Sequence, residues 1–246
     1  MTKTTRLIAY HGDPAIKEKY LARVEAHRLA DEILQGFGYW FDGKGCAVGC
    51  TLHGDDHGDY ESELGIPEPI ARLEDVIFEG LPVELARAWP SRFLAAIKPS
   101  ADLSQVADRF CYWLLTSPSM RLSDLAEPSG KIAIAIVADL YRRRIDYAGP
   151  PAMEWAVIRA AAWSVANAAA SIAASEAARA AASQAAIDVA KSVARAVVDA
   201  ADSDGTAAND VAWAAAWAAM AIRLEDLLAT APTATVDLAD ETEVAG

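Results

Sequence analysis

Between residues 46 and 57 the chain sets two thiols and two imidazoles in the spacing C-x3-C-x2-H-x3-H, inside the glycine-rich run GKGCAVGCTLHGDDHGD at 43–59. Thiolate plus imidazole is a donor set that zinc prefers, and a turn-rich loop can fold four such groups toward one point. Cys46, Cys50, His53 and His57 are therefore the expected metal ligands, with zinc or iron as the ion. A three-ligand site completed by His11 or His27 is equally admissible. Asp55, Asp56 and Asp59 are available to accept from the imidazoles and orient them. The gap between the two pairs is far too short for a zinc finger.

The same residues suggest a second chemistry. Cysteine attacks as thiolate, and a neighbouring imidazole lowers its pKa. Cys46 or Cys50, with His53 or His57 as base, would make a nucleophile, and the glycine amides could receive an oxyanion. A reversible Cys46–Cys50 disulfide is a further use of the thiols. His27 and Asp31, one helical turn apart, add an imidazole with a carboxylate to orient it. The expected catalytic set is thus Cys50, His53, His27 and Asp31. The plainer reading of the thiols is that both are small buried residues in a tight turn.

The elements that must carry these groups are helical. Asp13 followed by Pro14 predicts a helix start, and Gly36 and Gly38 predict its end after about Gln35. On that helix Lys19, Arg23, His27 and Asp31 fall four apart on a mainly apolar side. Such a row is costly to bury unless it is paired or faces a cavity, and the simplest account has Lys19 and Arg23 snorkelling at its edge. Further helices are expected from Ile66-Pro67-Glu68-Pro69 through Phe78, within Val83–Lys98 broken at Pro90, over Leu103–Thr116 and over Ile132–Tyr147. No stretch keeps a period of two, so the expected class is all-α.

Gly149-Pro150-Pro151 marks the clearest boundary, giving a helical domain over 1–150 that carries the Cys/His loop. From Trp163 the sequence falls into quartets such as WSVA, NAAA, SIAA and SEAA, without Gly or Pro, which predicts long alanine-rich helices. A period of four exceeds 3.6, so the lead residue of each quartet drifts by about 40° and small residues spread over every side. A second such segment runs from Asn209 to Leu228, with Trp213 and Trp217 as expected core anchors. DSDGT at 202–206 would turn the two into a hairpin over 151–229, and 230–246 reads as a disordered acidic tail. Beyond Pro151 there is no His, Cys or Tyr and there are five basic residues, so chemistry belongs to the first half.

A net charge of −13 excludes unassisted contact with nucleic acid, whose phosphates require cations. Ten carboxylates and one arginine, Arg72, lie between His53 and Glu84, an acidic face or a cation-attracting rim. Three cysteines are too few for a disulfide framework. With no apparent secretion signal and no apolar run long enough for a bilayer, a reducing, cytoplasmic location without a membrane span is expected.

The C-x3-C-x2-H run also resembles the cluster motif of radical-SAM enzymes with its third cysteine replaced by histidine. That replacement removes a thiolate ligand, and the β/α alternation of such barrels is missing. More broadly, GKGCAVGCTLH at 43–53, ELGIPEPIARLEDVIFEGLP at 63–82 and the Ala/Ser quartets resemble uncharacterised proteins of bacterial and phage genomes. The resemblance implies a shared module and supplies no activity. The expected function is a metal- or thiol-dependent protein, an enzyme if the loop is its site. The alternative is a helical protein-binding module, docking a partner or a second copy through the alanine-rich helices while the loop is structural.

Overall fold

A computed structural model describes residues 7–120, 128–147 and 207–234. It is mostly helical: α1 (Pro14–Leu29), α2 (Ala47–Leu52), α3 (Asp59–Leu64), α4 (Glu68–Gly80), α5 (Val83–Ala86), α6 (Trp89–Ala96), α7 (Val106–Thr116), α8 (Pro128–Tyr147) and α9 (Ala207–Ala229). Two short antiparallel strands, β1 (Trp40–Phe41) and β2 (Lys44–Gly45), depart from the all-α expectation. None of the described helices is long and apolar enough to cross a membrane.

Local chemistry explains most boundaries. The Asp13 side chain accepts from the Ala15 N–H at 2.8 Å and Pro14 sits in the first turn, as the capping pattern predicts. Pro90 also falls in a first turn, so it starts α6 instead of interrupting a longer helix. Helix α1 stops at Leu29, six residues before the expected end. There Asp31 takes a left-handed φ of 56°, its N–H turns back to Arg28 O, and the Glu32 N–H returns to His27 O at 3.0 Å. This is a Schellman ending with aspartate where glycine is usual.

The chain then passes beside Gly45, with Leu34 N–H donating to Gly45 O at 2.8 Å and Gly45 N–H to Glu32 O at 3.1 Å. It enters the β1–β2 hairpin, whose turn residues Asp42 and Gly43 both have positive φ, 47° and 81°. That is the two-residue turn which suits strand twist. A Cβ on Gly45 or Gly49 would overlap the Tyr39 carbonyl, so both glycines let the hairpin lie directly on α2.

Trp89, Phe93, Phe78, Phe110, Tyr10 and Tyr60 fill one core shared by α2, α3, α4, α6 and α7. Helix α9 belongs to that core, packing on α4, α6 and α7. Trp217 is buried against Gly80, where a side chain on the glycine would strike the indole, and Glu225 pairs with Arg92 at 2.6 Å. The second alanine-rich segment is therefore joined to the amino-terminal half. The quartet tract from Trp163, the 202–206 turn, the 149–151 boundary and the side chain of Trp213 lie outside the described residues. Of the expected tail, 230–234 is held: Asp102 N–H donates to Pro232 O at 2.7 Å and Ala234 N–H to Ser100 O at 2.7 Å. Residues 235–246 lie outside the described ones.

Candidate functional site

Two helix endings meet at one surface. His27 lies in the last turns of α1, Glu32 follows its Schellman ending, and His53 closes α2 in a left-handed conformation (φ 60°) with its N–H on Gly49 O at 2.7 Å. A histidine at positive φ is uncommon and costs backbone energy that Gly54, the next residue, would not incur. The conformation carries the His53 ring across to α1.

There the His53 and His27 Nε2 atoms are 2.8 Å apart, and His27 Nδ1 is 2.6 Å from Glu32 Oε2. Trp40, from β1, stacks on the His53 ring at 4.3 Å and 16° and meets His27 edge-on at 5.3 Å. With Glu32 ionised, His27 Nδ1 carries the proton between them. Only one proton fits between the two Nε2 atoms, so the three groups form a carboxylate–imidazole–imidazole chain. Among the described residues, His53 Nδ1 has no hydrogen-bond partner, and His53 is exposed. Partial burial first, then the Arg23 and His27 charges, depress the His53 pKa, which favours the neutral ring whose free nitrogen can accept a proton.

Arg23 stands one turn before His27 and donates from Nη1 to Thr51 O at 2.8 Å. Its guanidinium and the Lys19 ammonium both lie over the Tyr20 ring, 4.9 and 4.6 Å from its centre, and the Tyr20 hydroxyl donates to Glu63.

Of the expected catalytic residues, His27 and His53 are brought together; Cys50 and Asp31 are not part of the pair. Asp31 is off the helix and reaches Arg87 at 2.9 Å, because the Schellman turn swings Glu32 beneath His27 in its place. The Cys50 thiol is buried and points to the carbonyls of Gly45 and Glu32, at 3.5 and 3.6 Å. Burial pushes both the Cys46 and the Cys50 thiols up to about 12, against the partial relief their backbone neighbours give. At neutral pH both are protonated, unsuited to attack.

The expected metal ligands separate in the same way. Cys46 neighbours Asp75, and His57, almost fully buried, faces Asp75 Oδ2 at 3.4 Å under the Tyr39 ring. His53 turns instead to His27. His11 lies elsewhere, its Nε2 3.0 Å from Ser62 O. Among the described residues no three His, Cys, Asp or Glu side chains gather to hold a metal ion, so Cys46, Cys50, His53 and His57 do not form the expected cage. Nor do the loop aspartates orient the imidazoles as expected. Asp75 of α4 faces His57, while Asp56 accepts from the Gly58 N–H.

Glu32, Trp40 and Asp75 were not foreseen. Asp42-Gly43 between Trp-Phe and Lys-Gly is a hairpin signal that would have placed Trp40 near the loop. Glu32 could be found only by recognising a helix stop at Asp31, where no glycine marks it. A shallow groove of about 480 Å³, lined by Leu21, Ala22, Glu25, Ser91, Arg92 and Ala95, lies between α1 and α6, on a different side of α1 from the Arg23–His27 row. No family model, curated protein or solved structure matches the chain.

Proposed function

We propose that the chain is an acid–base enzyme in which His53 moves the proton and His27 with Glu32 relays it. A substrate proton is taken by His53 Nδ1, the His53 Nε2 proton passes to His27 Nε2, and His27 becomes an imidazolium held by the Glu32 carboxylate. The reverse transfer returns a proton to the leaving group. Such a positioned base contributes roughly 10²–10⁴-fold to a rate. The observation that carries this reading is the unbroken chain of 2.6 and 2.8 Å contacts from Glu32 to the exposed ring.

The test follows the imidazole nitrogens by NMR through a pH titration, in the wild type and in Glu32→Gln and His27→Gln variants. Coupled titration that shifts in both variants supports the relay; independent titration of the two rings overturns it. Turnover of chromogenic ester and phosphoester probes, compared with His53→Gln, then reports the reaction type.

One feature favours a second reading. A carboxylate on one nitrogen of an imidazole whose other nitrogen converges with a second imidazole is also how metal ligands are held. Zinc or iron would then bind His27 and His53, with water or substrate completing the shell, and without Cys46, Cys50 or His57. Metal content of untagged protein, lost in His27→Gln, would favour it; metal-free protein with an intact relay titration would reject it.

A further inference from the structure

The row Lys19, Arg23, His27 runs along α1 straight to the His53 base. In a chain of net charge −13, its two cations have no carboxylate partner among the described residues. Most other arginines in the described residues do: Arg28 with Glu25, Arg72 with Glu68, Arg87 with Asp31, Arg92 with Glu225, Arg144 with Asp108, whereas Arg109 bonds the Gln105 amide oxygen. Glu63 accepts from the Tyr20 hydroxyl that Lys19 also contacts, so its charge lies close to both cations, but it forms an ion pair with neither. The Lys19 ammonium contacts the Tyr20 hydroxyl at 3.3 Å and its ring, and Arg23 spends one of its five N–H donors on Thr51 O. The remaining guanidinium donors have no acceptor among the described residues.

We infer that Lys19 and Arg23 form the binding place for an oxyanion, a phosphate or carboxylate group, on the substrate whose proton His53 takes. This rests on the acid–base reading of the site and adds the substrate's charge to it. An acidic surface repels anions in general, so two cations without an ion pair of their own, only partly offset by Glu63, select where an anion settles and hold it next to the reacting ring. Arg23 is suited to the task because its planar fork meets two oxygens at once, while Lys19 supplies a movable point charge. Anion binding would offset the Arg23 charge felt by His53, coupling substrate capture to a stronger base.

The full chain is titrated with inorganic phosphate and, separately, with acetate at constant ionic strength, by calorimetry and by NMR of the Arg23 side chain and the His53 ring. The comparison protein is Lys19→Gln/Arg23→Gln, chosen because an amide at the second position keeps a donor for Thr51 O while losing the charge. Arg23→Gln alone replaces it if the double variant does not fold. Saturable binding that weakens about tenfold or more in the variant supports the site. An upward shift of the His53 titration with anion, absent from the variant, supports it further. Phosphate binding alone assigns a phosphorylated substrate, and acetate binding alone a carboxylate. Wild-type protein that binds neither anion, or a variant that binds as tightly as wild type, overturns the inference even if the relay titrates as expected. Anion binding that depends on Lys19 and Arg23, with two independently titrating imidazoles, would remove the acid–base reading and leave the anion site standing.

Discussion

The Nε2 atoms of His27 and His53 face each other across 2.8 Å, a distance that admits one proton and not two. The pair therefore cannot hold two charged rings in this arrangement, and its protonation is a joint property. We expect imidazole NMR of the wild type to report joint protonation of the two rings. The second proton should enter with local opening of the contact between the rings. Glu32→Gln should lower the proton affinity of the pair, since it removes the acceptor that stabilises a His27 imidazolium. Any His53-dependent activity should fall roughly 10- to 100-fold in that variant, by analogy with other partners that orient an imidazole. A Glu32→Gln enzyme with unchanged midpoints and rate would contradict the relay.

The thiols should be inert in the folded chain. Cys46, Cys50 and Cys111 are all buried, and burial pushes each up to about 12. Disulfide-exchange reagent at a pH of about 7.5 should label none of the three at an appreciable rate until denaturant is added, when all three react. Fast native labelling of Cys50 would restore the nucleophile reading.

Gly49 is where the site's architecture is least forgiving. Gly49→Ala places a methyl group into the Tyr39 carbonyl, whereas Gly54 has open space around it. Urea unfolding should show Gly49→Ala destabilised by about 1–3 kcal/mol or more, as expected for overpacking against backbone. Gly54→Ala should lie within about 1 kcal/mol of wild type. Equal stability of the two variants would mean that the hairpin does not rest on α2.

Glu74 makes stability depend on pH. Its side chain is fully buried, Oε2 accepts from the Tyr60 hydroxyl at 2.6 Å, and Oε1 has no partner. Burial raises its pKa to about 8, from an ordinary value near 4.5. Between those two values the unfolded chain has released a proton that the folded one retains. Stability therefore declines as pH rises through that window, by up to about 1.4 kcal/mol per unit, and levels off above it. Glu74→Gln should flatten this slope in denaturant titrations run from about pH 4.5 to about pH 8.5. A slope preserved in that variant would assign it to another group.

Much of the helical frame was legible because capping and turn chemistry are local. Asp13-Pro14 and Pro67 each mark a start that the structure keeps within a residue or two. The site was legible only in part. The clustering of histidines near one loop pointed to His27 and His53, but composition could not say which partner each would take. Spacing favours His27 with Asp31, whereas a left-handed aspartate, unusual at that position, ends the helix and delivers Glu32. Likewise the cysteines sit where glycine-driven close packing of the hairpin on α2 buries them, and burial outweighs the reactivity that their neighbours suggested. Periodicity missed the hairpin because strands of two residues have no period to display.

The stretch Ser100–Asp102 is bonded on one side to Ala9 and on the other to Pro232–Ala234. A ribosome-bound chain can dock Ala9 once residue 101 has emerged, but the opposite flank waits until more than a hundred further residues have been synthesised. Meanwhile the faces of α4, α6 and α7 that α9 covers wait for it. Until α9 is made, the apolar surface it covers lacks that cover, and slow translation of the carboxyl-terminal half would lengthen the time for which aggregation competes with folding.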